Sequence, residues 1–269
     1  MSGTDNEVLA AWELERFLCR AAATRFERTR YGFVCANPDL PSVWDASRVQ
    51  VEPDGEVPPL ERLRQMAEWP NEWHPGLRHR TAFVSHSEER REVAWSLARE
   101  GWNVTELWLM ICRVPPRVPA SAKRVEGAGM RRLKGRLGVE HGLPPDMAAQ
   151  FDRYDDLRAR AGARFAFGGY EGDRPLSMAS MFLRGDIAVL EDVATLTRAR
   201  GRGLGKAAVQ GATAAALRLS ARAVYLFAEP EVARSFYEPI GFERIGGAWS
   251  CRKTPPDAPA PPRAALRWL

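Results

Sequence analysis

The spacing of apolar and polar residues divides the chain into alternating helical and extended segments. Leu9, Trp12, Phe17 and Ala21 lie near one another on one side of a helix expected over residues 6–28. Extended runs at 31–36 and 45–51 flank the turn Asn37-Pro38-Asp39, and a polar, Pro/Gly-bearing loop follows at 52–59. A helix is expected over 60–68, irregular chain over 69–75, a strand over 80–85, a helix over 88–100 and a strand over 104–112. Val114-Pro115-Pro116-Arg117-Val118-Pro119-Ala120 has the composition of a linker. Beyond it, the basic run Arg131-Arg132-Leu133-Lys134-Gly135-Arg136 reads as a solvated helix face. A second helix opens near Pro145, with Met147, Phe151, Tyr154 and Leu157 on one side.

Residues 164–170 and 176–183 read as an antiparallel pair turning at Glu171-Gly172-Asp173-Arg174-Pro175. Arg184-Gly185-Asp186 turns the chain into a strand over 187–196, rich in Val, Ile, Leu and Thr. An Arg/Gly loop over 197–205 then leads into an Ala-rich helix. Its residues Leu204, Ala208, Ala212, Ala215 and Leu219 form a stripe of mostly small side chains that lets the helix lie close to a sheet. Gly201, Gly203 and Gly205 allow φ > 0 and turn backbone N–H groups toward one point, where the helix adds free amides and partial positive charge. Arg198, Arg200, Arg202 and Lys206 add side-chain charge around the same point. Such a strand–loop–helix is suited to a phosphate or pyrophosphate.

Three phosphate-binding patterns compete for this loop. The P-loop G-x-x-x-x-G-K-[ST] fails, because position 207 is Ala and Arg200 stands where the first Gly belongs. A dinucleotide fingerprint fits Gly203-Leu204-Gly205-Lys206-Ala207-Ala208 with Glu229 ending the next strand, but little chain remains to extend a Rossmann sheet. The third pattern, [QR]-x-x-G-x-[GA], is met by Arg200-Gly201-Arg202-Gly203-Leu204-Gly205. Farther on, Ala233-Arg234-Ser235-Phe236-Tyr237-Glu238-Pro239-Ile240-Gly241-Phe242 follows a strand at 223–228. In these two motifs and their separation the chain resembles the GNAT family, the Gcn5-related N-acetyltransferases, although Thr197-Arg198 stands where many relatives carry Pro-Glu.

The resemblance implies an α/β (α+β) fold with a mixed, mostly antiparallel sheet flanked by helices, and acetyl-CoA as cosubstrate. It implies that Arg200, Gly201, Arg202, Gly203, Leu204, Gly205 and Lys206 hold the pyrophosphate. It implies that the backbone of Val193, Ala194 and Thr195 meets the pantetheine arm and thioester. Tyr237 matches the family's usual general acid, and a phenol near pKa ~10 can protonate a thiolate whose own pKa is ~8.5. Candidates for the base are Glu191, Asp192 and Glu229; simple strand alternation puts Glu191 and Asp192 on opposite faces. The acceptor is then an amine-bearing small molecule or peptide. A non-catalytic acyl-CoA-binding regulatory protein is the other function class compatible with the loop.

A fainter echo links the two parts of the chain. Residues 81–113 run strand, helix, Gly101-Trp102, strand, and end Cys112-Arg113; residues 224–252 run strand, helix, Gly241-Phe242, strand, and end Cys251-Arg252. The expected organisation is therefore a degenerate GNAT-like unit at 1–113, a linker at 114–120, an intact one at 121–254 and a Pro/Ala-rich tail at 255–269. The first unit has no glycine-rich loop before Thr81 and carries Leu97 where Tyr237 stands in the second. At 269 residues with 45% hydrophobic content, two cores are affordable. Seven of the nine tryptophans precede residue 110 and read as core or interface packing.

Composition narrows the remaining options. A net charge of +5 suits an acidic ligand and is too mild and evenly spread for nucleic acid. No run approaches the ~18 apolar residues of a membrane span, and residues 1–8 lack the apolar core of a signal peptide. Cys19, Cys35, Cys112 and Cys251 form no C-x-x-C pair and read as buried thiols in a reducing cytoplasm. His74, His79, His86 and His141 show no ligand spacing, so no metal is expected. A monomer or homodimer is expected.

Overall fold

The computed structural model of the chain describes residues 3–254; the expected Pro/Ala-rich tail at 255–269 lies outside the described residues. The N-terminal part runs α1 (Gly3–Ala22), β1 (Arg25–Thr29), β2 (Gly32–Ala36), β3 (Arg48–Val51), α2 (Leu60–Trp73), β4 (Arg80–Ser85), α3 (Glu88–Arg99) and β5 (Asn103–Cys112). The remainder runs β6 (Ala122–Arg124), α4 (Gly127–Glu140), α5 (Pro145–Arg158), β7 (Ala163–Glu171), β8 (Arg174–Pro175), β9 (Ser177–Arg184) and β10 (Ile187–Thr195). It closes with α6 (Leu204–Arg218), β11 (Ala223–Ala228), α7 (Pro230–Val232) and β12 (Glu243–Lys253).

The strands form one twelve-stranded sheet in the order β1-β2-β3-β4-β12-β5-β11-β10-β9-β7-β6, with β8 pairing β7. Only β3/β4 and β10/β11 are parallel. Alternating side chains send the two faces into different layers. Val84, Trp249, Leu226 and Met181 pack under α2, α3 and α6. On the other face Phe83, Leu109, Tyr225 and Val189 pack under α1, while Met178 and Ala194 pack under α4. The fold is thus a mixed, mostly antiparallel sheet between two helical layers.

Sequence neighbours do not remain neighbours at the centre. β5 follows β4 through α3, yet lies between β12 and β11; β12 follows β11, yet lies between β4 and β5. The β5/β12 ladder runs antiparallel from Asn103↔Arg252 to Ile111↔Glu243. Outward from it, each side meets first an antiparallel strand (β4 or β11) and then that strand's parallel partner (β3 or β10). The echo between residues 81–113 and 224–252 therefore corresponds to matching places about the central pair.

Four local expectations change. The first helix ends at Ala22 rather than 28, because Arg25–Thr29 pairs with β2 and Thr24 caps the hairpin through its amide and hydroxyl on the Ala36 carbonyl. The second helix continues through Pro70 to Trp73; Leu63, Met66, Ala67 and Pro70 make one buried stripe, and that burial outweighs the missing proline N–H. Asp45 belongs to a 3₁₀ turn, Trp44–Ala46, and the strand starts at Arg48. Trp95 is 57% exposed, unlike the buried Trp12, Trp102, Trp108 and Trp249. All four cysteines are buried and unbridged. Among the described residues no helix is long and apolar enough to cross a membrane.

The exchange of β5 and β12 makes each half incomplete. Chains cut between Pro116 and Arg117 and co-expressed are expected to co-purify as a folded pair, while either half alone aggregates or lacks near-ultraviolet dichroism. A fixed tertiary signal from one isolated half would show that the central ladder is dispensable.

Candidate active site

β10 pairs with β11 over only three positions, Ile187↔Ala223 to Val189↔Tyr225. Beyond them β10 keeps its antiparallel partner β9, and β11 keeps β5 through Leu226↔Met110, Phe227↔Leu109 and Ala228↔Trp108. The facing edges, Leu190–Thr195 and Leu226–Ala228, are parted. The β10/β9 register shifts between Glu191 and Ala194, and Asp192 has φ 50°, a left-handed conformation uncommon outside glycine.

This bulge corrects the expected alternation. Both carboxylates face the layer of α4 and α5: Glu191 pairs through both oxygens with Arg158 of α5, and Asp192 lines a cavity between α4 and α5. The cavity holds about 420 Å³ and is bounded below by Met178 and Asp192. Arg158 is buried, with its guanidinium carbon 4.6 Å from the Phe182 ring centre and 5.0 Å from that of Tyr154. Burial pushes the Glu191 carboxyl up, and the guanidinium pulls it back. Asp155 Oδ2 accepts from Lys134 Nζ and Arg164 Nη2, each at 2.6 Å. Lys134, read from sequence as part of a solvated face, is therefore half-buried and paired, whereas Arg131 and Arg132 are exposed. Asp192 Oδ2 is buried without a hydrogen-bond partner. Burial, reinforced by the nearby Asp155, raises its carboxyl from 3.8 to about 6 against the pull of Lys134.

At the far end of β10 the glycine loop meets α6. Gly201 and Gly203 have φ 73° and 74°, and a Cβ on either would meet nothing within 4 Å, so the space before them is open. Gly203 is the N-cap of α6, and the first bonded amide of the helix is Ala207 N, to Gly203 O at 3.0 Å. The amides from 201 to 206 therefore bond no acceptor among the described residues. The helix start is pinned to the sheet: Ser177 Oγ donates to Leu204 O (2.7 Å) and accepts from Gly169 N (2.9 Å). Gly169 itself must lack a side chain, since a Cβ there would come within 2.3 Å of Leu204 O. Thr195 Oγ1 would stand 2.8 Å from a Cβ at Gly205. Arg200 Nε donates to Thr195 O at 3.3 Å, Arg202 pairs with Glu171, and Glu140 Oε2 accepts from Thr197 N at 2.8 Å.

Tyr237 closes a π-helical turn, Ala233–Tyr237, of the kind often found at functional positions. Gly241, at φ 94°, lets the chain reverse so that Phe242 N bonds Tyr237 O at 3.2 Å. The Tyr237 ring is buried, edge-on to Phe236 (4.9 Å) and Phe242 (5.7 Å), in one core cluster with Val193 and Ala228. Phe236 in turn lies 3.6 Å from where a Cβ on Gly205 would be, so this turn touches the start of α6. Burial pushes the phenol well above its ordinary value, keeping it protonated. Glu229 ends β11 as the N-cap of α7, its carbonyl accepting from Ala233 N at 2.8 Å.

The structure thus gathers Val193, Ala194, Thr195, the loop 200–206 and Tyr237 around the parted strands, with Glu191 and Asp192 on the opposite face of β10. Sequence reading passed over Asp155 and Arg158, whose i, i+3 spacing on the inner side of α5 was the available signal. Among the described residues no group of three or more His, Cys, Asp or Glu is arranged for a metal.

No curated protein matches the chain by sequence. Several solved structures share its fold. A functionally unknown conserved protein from Staphylococcus epidermidis is 11% identical, with a TM-score of 0.65 over 86% of this chain and 94% of that one. A GCN5-related N-acetyltransferase from Kribbella flavida is 18% identical, with a TM-score of 0.63 over 96% and 97%. One from Sphaerobacter thermophilus is 16% identical, with a TM-score of 0.52 over 85% and 75%. The family model described as acetyltransferase (GNAT) family matches residues 134–242, the span that carries the glycine loop, the parted strands and the Tyr237 turn. Residues 134–242 of this chain are therefore a domain of the GNAT acetyltransferase family.

Proposed function

We propose that the protein is an acetyl-CoA-dependent N-acetyltransferase that passes an acetyl group to a primary amine by direct attack on the thioester. The observation that carries this reading is the parting of β10 from β11, with unpaired loop amides at one end and Tyr237 beside it. The residues fit the cosubstrate. Open left-handed glycines, free amides at the start of α6 and the cations Arg198, Arg200 and Lys206 match a pyrophosphate. The parted edge at Val193–Thr195 offers backbone donors and acceptors to an extended amide-bearing arm. The thioester supplies the activated acetyl group.

Each side chain then has a distinct task. Asp192, on the cavity and with an oxygen lacking a partner, takes the proton of the attacking amine, directly or through water. Glu191 is committed to Arg158 and positions the bulge. A backbone N–H on the parted edge of β10 donates to the carbonyl oxygen as it gains charge. Tyr237, kept protonated by burial, gives its proton to the departing thiolate. The unit at 1–113, with Leu97 buried in place of a phenol, acts as a structural partner that supplies β5 to the lip of the cleft.

Three measurements test this reading. Gly203→Asp places a strained residue and a carboxylate where the phosphates belong; calorimetry should show one acetyl-CoA site per wild-type chain and at least a ~100-fold weaker one in the variant, from roughly 3 kcal/mol of lost backbone approach and repulsion. Two equivalent sites per chain would count against it.

Tyr237→Phe keeps the ring packing and should leave folding nearly unchanged. It is expected to lower kcat by ~10²–10⁴-fold with the acetyl-CoA Kd within about threefold. Unchanged kcat would reduce Tyr237 to a core aromatic.

For Asp192 the sign follows from a carboxyl raised on folding. Below 3.8 the group is neutral in both states; between 3.8 and about 6 the unfolded chain ionises first, so stability falls as pH rises, and the full cost is present above 6. Asp192→Asn should therefore be more stable at pH 7, by about 1–3 kcal/mol, and gain nothing near pH 4. The same substitution should abolish the rise in kcat/KM near pH 6, measured with a weakly basic amine. A variant that is stabilised yet fully active would leave Asp192 without a catalytic part.

A further inference from the structure

The cavity over the β10 bulge narrows the class of acceptor, on the acetyltransfer reading given above. Its walls are apolar: Leu137, Leu143, Ala148, Phe151 and Met178 contribute, from α4, α5, their connection and β9. None of its lining side chains is a Ser, Thr, Asn, Gln, Tyr or His. Every polar side chain on it is charged, and these gather round Lys134. Lys134 Nζ donates to Asp152 Oδ1 at 2.9 Å and to Asp155 Oδ2 at 2.6 Å, and Arg131 lies one helical turn before it. Asp155 is satisfied a second time by Arg164 from β7. Asp192 is left as the lining carboxylate with a buried oxygen that bonds nothing.

A pocket of this kind discriminates by what it cannot satisfy. A hydroxyl-rich amine would exchange water for walls whose neutral side chains are all apolar and whose Lys134, Asp152 and Asp155 already bond one another. A polyamine would carry a second ammonium into the same walls, where Asp152 and Asp155 are already held by Lys134 and Arg164. An apolar body fills the walls and leaves its one amine to the Asp192 end. A volume of about 420 Å³ falls among cavities that enclose small organic molecules, roughly 300–1,000 Å³. We propose that the acceptor is a small primary amine on an apolar aliphatic or aryl body, bound in the α4–α5 cavity with its nitrogen toward Asp192.

The test follows free thiol release from acetyl-CoA by the full chain with four acceptors: 2-phenylethylamine, n-hexylamine, glucosamine and spermidine. The two apolar amines should exceed the other two in kcat/KM by about 100-fold. Ala148→Phe, which fills the cavity from α5, should lower kcat/KM for 2-phenylethylamine by at least about tenfold, with the acetyl-CoA Kd within about twofold. Ala149→Leu, a milder change at the neighbouring position, gives the same comparison if Ala148→Phe does not fold. Glucosamine or spermidine turned over as well as the apolar amines would overturn the acceptor class and leave acetyl transfer standing. Undiminished turnover of 2-phenylethylamine in both folded variants would remove the acceptor from this cavity. A chain that binds acetyl-CoA and acetylates none of the four would overturn this assignment; if Tyr237→Phe then also leaves thioester hydrolysis unaltered, the acetyltransfer reading falls with it.

Discussion

The parallel ladder between β10 and β11 stops after three rungs, and the site depends on its stopping there. Within a sheet, each backbone N–H and C=O facing a neighbour needs a partner, so parted edges inside a fold are costly unless water or a ligand meets them. Here each strand keeps its outer partner, β10 pairing β9 on both sides of the bulge and β11 pairing β5, and the gap is therefore a fixed feature rather than a frayed end. The bulge at Asp192 lies where β10 leaves β11. It bends the strand, sends Val193 into the core beside Tyr237, and turns Asp192 to the other face.

The far lip of the gap is built on a strand from the first half of the chain. β11 has β5 as its outer neighbour, and β5 is locked in turn by the long ladder to β12. Reciprocal crossing of β5 and β12 thus couples the packing of residues 1–113 to the geometry of a site whose motifs lie beyond 190. Glu15 of α1 accepts from Arg48 of β3 at 3.3 Å and lies 3.4 Å from the Tyr225 hydroxyl of β11, adding a buried polar tie between the halves.

Charge is arranged to hold the bulge and leave one group unsatisfied. Arg158, Lys134 and Arg164 neutralise Glu191, Asp152 and Asp155 through close contacts in a half-buried layer. Asp192, in a left-handed conformation with an unbonded oxygen, carries the remaining strain. Groups held at such a cost are common where reactivity is needed.

Much of this was legible in the residues. Glycines at 201, 203 and 205, the following small-residue stripe and the Tyr237–Phe242 run identify the loop, the helix and the turn, because local backbone needs and close packing leave strong marks on composition. The strands at 80–85, 163–171, 177–184 and 223–228 follow from β-rich runs bounded by turns. The edge strand Arg25–Thr29 did not, because Arg-Phe-Glu-Arg-Thr carries no intrinsic extended signal and is fixed by pairing with Gly32–Ala36. Nor could spacing reveal that Glu191 and Asp192 share a face, since a bulge cancels the two-residue period and arises only from the register against β9. The crossing of β5 and β12 was equally hidden: the sequence by itself determines most of the strand segments and where the glycine loop lies. Only the tertiary structure decides which strands lie side by side, because ladder hydrogen bonds are alike for every backbone and the choice among partners rests on how whole faces pack.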